Sequence, residues 1–129
     1  MNESQASSRR RRVLLLESDR LIKALIVEWL HMAGNETVCA PDPGAVGRVA
    51  GPFDLVLADV PAPHRAARNT VTRLRQAFPA APVVAMSADI MACNQAAREA
   101  LARQLGANAV LVKPFTQDAL LSAIELARA

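Results

Sequence analysis

Val13-Leu14-Leu15-Leu16, cut off at once by Glu17-Ser18-Asp19, is the first of five short apolar runs in this chain of 129 residues. Glu36–Ala40 is the second and weakest, opened by Gly34-Asn35 and closed by Pro41-Asp42-Pro43-Gly44. Leu55–Ala58 lies between Asp54 and Asp59, Val83–Met86 runs from Pro82 to Ser87, and Ala109–Val112 runs up to Lys113-Pro114. Runs of four or five residues that are apolar at consecutive positions are buried on both faces. That is the pattern of strands in a parallel sheet covered by helices on each side.

The intervening segments have the helical period. Leu21–Met32 places Ile22, Leu25, Ile26, Trp29 and Met32 on one stripe. A short helix is expected over Gly44–Ala50. Ala66–Phe78 carries Val71, Leu74 and Phe78, and Ala92–Leu105 carries Cys93, Ala97, Ala100, Leu101 and Leu105. Thr116 is a suitable N-cap for a last helix bearing Leu120, Ile124 and Ala127. The order is βα five times over, which predicts an α/β fold with a doubly wound, five-stranded parallel sheet. The length suits a single domain, expected over residues 12–129 after a disordered basic tail at 1–11.

Charge is unevenly placed. Arg9, Arg10, Arg11 and Arg12 outnumber Glu3, so the whole net charge of +3 belongs to the first twelve residues. From Val13 onward eleven basic residues face eleven acidic ones, and the aromatic residues are only Trp29, Phe53, Phe78 and Phe115. On that sum, and without a stacking platform, the body is not expected to bind nucleic acid. The apolar stretch behind the Arg run is too short for an export signal or a membrane span, so a cytoplasmic protein is expected. Cys39 and Cys93 are too few for a disulfide scaffold or a zinc site and read as buried packing thiols.

Ligands of open α/β sheets bind outside the carboxyl ends of the strands, where strand order reverses. There the first run delivers Glu17-Ser18-Asp19, the third Asp59, the fourth Ser87 and the fifth Lys113. Lys113 stands out further because the chain has 13 Arg and only two Lys. Two carboxylates suit a hard cation such as Mg²⁺, while an ammonium and a hydroxyl suit a phosphoryl group. One carboxylate can itself be the nucleophile. Neither His31 nor His64 is placed by spacing beside a strand-end Ser, and no glycine-rich phosphate loop is present.

Asp54-Leu55-Val56-Leu57-Ala58-Asp59-Val60-Pro61 resembles the phosphoacceptor strand of response-regulator receiver domains, the CheY-like family with the flavodoxin-like (βα)5 fold. Val112-Lys113-Pro114-Phe115 is similar to that family's fifth-strand signature, and Met86-Ser87-Ala88 to its switch hydroxyl. The resemblance implies a two-component signalling domain, not an enzyme beyond self-catalysed phosphotransfer and dephosphorylation. It implies Asp59 as the residue phosphorylated by a histidine kinase or phosphotransfer protein. Mg²⁺ would be held by Glu17, Asp59 and the main-chain carbonyl of Pro61, with Asp19 as a further candidate. Ser87 and Lys113 would bind the phosphoryl group, and the Lys113–Pro114 bond would be cis.

Two positions depart from the family's pattern. Ser18 stands where the family has its second acid, and Val110 where it has an aromatic switch residue. The stretch from Ser87 to Lys113 is also about one helical turn longer, which predicts an extended helix after the fourth strand. That helix, the fifth strand and the last helix form the family's usual output face, implying a downstream protein partner and a homodimer contact there. Ser18 and Val110 motivate an alternative, a degenerate receiver that binds proteins without phosphorylation. A small hydrolase of the same architecture is a weaker third reading, since no catalytic dyad or glycine loop supports it.

Overall fold

The computed structural model describes residues 10–40, 44, 49, 51–89 and 92–129. The strands are β1 (Arg11–Leu16), β2 (Asn35–Ala40), β3 (Leu55–Asp59), β4 (Val83–Ser87) and β5 (Ala109–Val112). The helices are α1 (Arg20–Met32), α2 (His64–Ala77), α3 (Gln95–Leu105) and α4 (Gln117–Arg128). All strands are parallel in the order β2-β1-β3-β4-β5, so the order reverses between β1 and β3. Most of the helix expected over Gly44–Ala50 and most of the tail expected over residues 1–11 lie outside the described residues, but Arg11, placed in that tail, opens β1.

Alternation along each strand divides the core in two. Leu14, Leu16, Val56, Ala58, Val83, Ala85 and Val110 point to the side covered by α2 and α3, where they meet Val71, Leu74, Leu101 and Leu105. Val13, Leu15, Leu55, Leu57, Val84, Met86, Ala109 and Leu111 point to α1 and α4, against Ile26, Leu30, Leu120 and Ile124. A strand side-chain period of two makes this division unavoidable once the sheet is covered on both faces.

Three details differ from the sequence expectation. Helix α1 packs through the i, i+4 row Ile22, Ile26 and Leu30, so Leu25 and Met32 are exposed, at 43% and 66%. Its sequence carries two adjacent apolar rows, and the sheet admits only one. Helix α3 begins at Gln95, capped by the Asn94 side chain accepting from Ala97 N–H, and ends at left-handed Gly106. The extra residues therefore lie in the β4–α3 connection and do not lengthen the helix. Finally, Cys39 and Cys93 are exposed. Cys39 is on the edge strand β2, and Cys93 is in the connection ahead of α3, outside any strand or helix.

The lower end of the sheet is pinned by side chains that the sequence did not single out. Arg12 N–H donates to Asp54 Oδ2 at 2.8 Å, and Asp54 N–H returns a bond to the Arg12 carbonyl. Asn108 Oδ1 accepts from Val83 N–H at 2.9 Å and from the Arg75 guanidinium at 2.8 Å. These bonds satisfy backbone groups where β1 and β4 begin.

Candidate functional site at the carboxyl ends of the strands

Glu17, Asp59 and Lys113 each continue the alternation of residues that face α1 and α4, because each follows a strand position of the same parity. Leu16 pairs with Ala58, which sets Glu17 beside Asp59 at the reversal of strand order. The Lys113 ammonium reaches both carboxylates, at 2.6 Å to Glu17 Oε1 and 2.9 Å to Asp59 Oδ1. The expected meeting of these three groups is thus present in space, although 96 positions separate Lys113 from Glu17. The Lys113–Pro114 bond is cis, as the resemblance implies.

The two carboxylates have different surroundings. The Glu17 side chain is 1% exposed and its second oxygen accepts from Asp19 N–H at 3.0 Å. The Asp59 side chain is 38% exposed, and its second oxygen has no protein partner among the described residues. Asp59 is therefore the reachable acid, and Glu17 the fixed one. Desolvation pulls the Lys113 pKa down, but the hydrogen bonds to Glu17 and Asp59 and the charge of both carboxylates outweigh it, so the net shift is upward.

Other expected site residues lie close to this cluster but are occupied. Asp19 caps α1 by accepting from Ile22 N–H at 2.9 Å, the short-side-chain role typical of that position. Ser18 is exposed and neutral. Ser87 is buried at the end of β4, and its Oγ accepts from Asp89 N–H at 3.0 Å. Its own hydroxyl proton has no partner assigned among the described residues. Lys113 N–H donates to the Ser87 carbonyl at 2.8 Å, which locks the two strand ends in register. Val110 is buried on the α2–α3 side of the sheet, where an aliphatic side chain fills the aromatic position.

His64, expected in a loop, opens α2, and its Nε2 lies 3.0 Å from Asp89 Oδ2. The pair ties the connection leaving Asp59 to the connection leaving Ser87. Sequence spacing could not reveal it, because 25 positions separate the partners and neither belongs to a motif.

Among the described residues, no three of His, Cys, Asp and Glu gather in a group that could hold a metal ion. Glu17 and Asp59 remain, shared by one ammonium. One or two carboxylates with water and phosphate oxygens are a sufficient Mg²⁺ donor set, so the residues fit that ion with fewer charges than the family's pattern supplies. Among the described residues, no helix is long and apolar enough to cross a membrane.

The response regulator receiver domain model matches residues 13–125. Transcriptional regulatory protein PdtaR of Mycobacterium tuberculosis is 35% identical over 121 residues, covering 91% of this chain and 56% of that protein. Transcriptional regulatory protein CpxR of Escherichia coli is 31% identical over 114 residues, covering 88% of this chain and 47% of that protein. The chain thus spans only about half the length of these curated relatives. Among solved structures, the chemotaxis response regulator CheY4 of Vibrio cholerae superposes with a TM-score of 0.70 at 24% identity, covering 91% of this chain and 98% of that one. The receiver domain of sensor histidine kinase PA1611 from Pseudomonas aeruginosa, described with a magnesium ion coordinated in its active-site cleft, gives 0.72 at 20% identity. It covers 93% of this chain and 98% of its own. Sequence, topology and the converging strand ends agree, and this chain belongs to the response-regulator receiver domain family of two-component systems.

Proposed function

We propose that the domain accepts a phosphoryl group on Asp59 from a histidine kinase or phosphotransfer protein and passes the signal on through a protein-binding face. The observation that carries this reading is the Lys113 bridge, which leaves Asp59 as the accessible carboxylate of the cluster. An Asp59 oxygen attacks phosphorus, the P–N bond of the phosphohistidine donor breaks, and the departing imidazole takes a proton from solvent. Lys113 moves its charge from the free carboxylates toward the incoming phosphoryl oxygens. Ser87 turns its hydroxyl proton toward the same oxygens, exchanging its hold on Asp89 N–H for a bond in which it donates.

Glu17 and Asp59, with the Pro61 main-chain carbonyl, would hold Mg²⁺, which supplies charge neutralisation for the phosphoryl group. The partner face consistent with this reading is the groove of about 810 Å³ between α3, β5 and α4, lined in part by Ala102, Val110 and Phe115. Its lining includes Val112 and Pro114 on either side of Lys113, so displacement of Lys113 is transmitted directly to its wall.

Incubation with Mg²⁺ and a small phosphodonor, read by intact mass, tests the proposal. One phosphoryl adduct is expected on the natural chain and none on Asp59→Asn; an adduct that survives the substitution refutes it.

A second reading is favoured by one observation. Asp19 is committed to capping α1 and Ser18 is neutral, so two acids stand against one ammonium. A degenerate receiver, binding proteins without phosphorylation, has this charge balance. Trp29 discriminates, since its ring meets Phe115 edge-on at 6.3 Å, two residues beyond Lys113. Mg²⁺-dependent Trp29 fluorescence supports the phosphoacceptor reading, and its absence at millimolar Mg²⁺ supports the degenerate one.

A further inference from the structure

The neutrality of the body from Val13 onward conceals a segregation. Residues 60–117 hold seven of its cations and only two of its acids, Asp89 and Glu99. Four of those cations, Arg65, Arg68, Arg73 and Arg75, are exposed on α2, which contains no carboxylate. The exposed positions between them are Asn69 and Thr72, and His64, Gln76 and Ala77 are exposed at the two ends of the helix. Among the described residues, no carboxylate lies within ion-pair distance of any of the four guanidiniums. Arg68 and Arg75 bond only to neutral oxygens, of Gln104, Gly106 and Asn108. Helix stability does not account for this arrangement. Arg65 sits in the first turn, where a cation opposes the macrodipole, and Arg65 and Arg68 repel at i, i+3.

We propose that the solvent face of α2 docks on the phosphate backbone of duplex nucleic acid. Apart from Ala77 at the end of the helix and His64, which pairs with Asp89, the face consists of hydrogen-bond donors of the types that contact phosphates. It has no apolar or aromatic anchor of the kind that dominates protein interfaces, and no apolar row that would enter a lipid surface. The absence of aromatic residues excludes base stacking on single strands and leaves the backbone of a duplex. Arg65 to Arg75 spans about 15 Å of helix, a length over which a duplex carries about nine phosphates. The inference is independent of phosphorylation at Asp59. It departs from the expectation drawn from net charge, because association responds to the local field and not to the sum.

The test is fluorescence anisotropy of a labelled duplex of arbitrary sequence with the full chain across a salt series. Four phosphate contacts give a log–log slope of about −3.6 from α2, a loss of about 150-fold in affinity between 50 and 200 mM salt. Arg65→Gln/Arg73→Gln, at the two positions with no side-chain bond, should make the slope shallower by about 1.8 with an unchanged melting temperature. An Arg9→Gln/Arg10→Gln variant isolates the tail. Binding abolished by the tail variant and unmoved by the α2 variant overturns the proposal. So does the absence of duplex binding at 50 mM salt, or tighter binding to polyglutamate or to anionic vesicles than to the duplex.

Discussion

Replacing Lys113 by Met keeps most of the side-chain stem but removes the charge that Glu17 and Asp59 share. At the observed 2.6 and 2.9 Å, each attraction is on the order of 6 kcal/mol at an effective dielectric constant of about 20. Desolvation of the three groups offsets much of this, so the net cost follows the rule for a buried ion pair that loses one partner, about 3–5 kcal/mol. The lower end applies, because Lys113 and Asp59 keep partial contact with water, 17% and 38% exposed, and only Glu17 is fully enclosed. For a chain of 129 residues the unfolding entropy is about 0.27 kcal/mol per kelvin, so about 3 kcal/mol lowers Tm by about 11 °C.

The pH dependence gives the sharper signature. The Lys113 pKa is raised above the usual 10.5, so its contribution is complete below that value and is lost as pH rises through the higher native one. The two proteins should therefore differ fully at neutrality and converge as pH rises through the native Lys113 value. Urea melts at a series of pH values provide the measurement. A difference below about 1 kcal/mol at neutrality, or one that does not change with pH, refutes the argument that Lys113 neutralises a buried acid.

Ser18→Asp restores an acid beside Glu17 and should tighten Mg²⁺ binding by about tenfold or more, as ligand charge does in carboxylate sites; calorimetric titration reads it. Asp19→Ala removes the α1 cap, at a cost of about 1 kcal/mol in chemical denaturation, with Mg²⁺ affinity unchanged if capping is its whole role. Asn108→Ala leaves Val83 N–H unpaired under the sheet, and a loss of about 1–3 kcal/mol is expected in the same denaturation assay.

Much of the fold was legible in the sequence because strands covered on both faces must be apolar throughout, and helices covered on one face must not be. All five strands lie within two residues of their expected bounds, and Glu17, Asp59, Ser87 and Lys113 stand at or just beyond strand ends as expected. Parity even carried the convergence, since residues two apart on a strand share a face. Local pattern could not choose between the two apolar rows of α1, nor place the extra residues ahead of α3. Packing against the sheet and the Asn94 cap made those choices. Tertiary structure alone decided which acid is enclosed and which is reachable, and it alone set His64 against Asp89. The exposure on one helix of four arginines with no carboxylate partner among the described residues likewise became visible only in the fold. Composition sums charge along the chain, whereas affinity, pKa and reactivity depend on distances that exist only after folding.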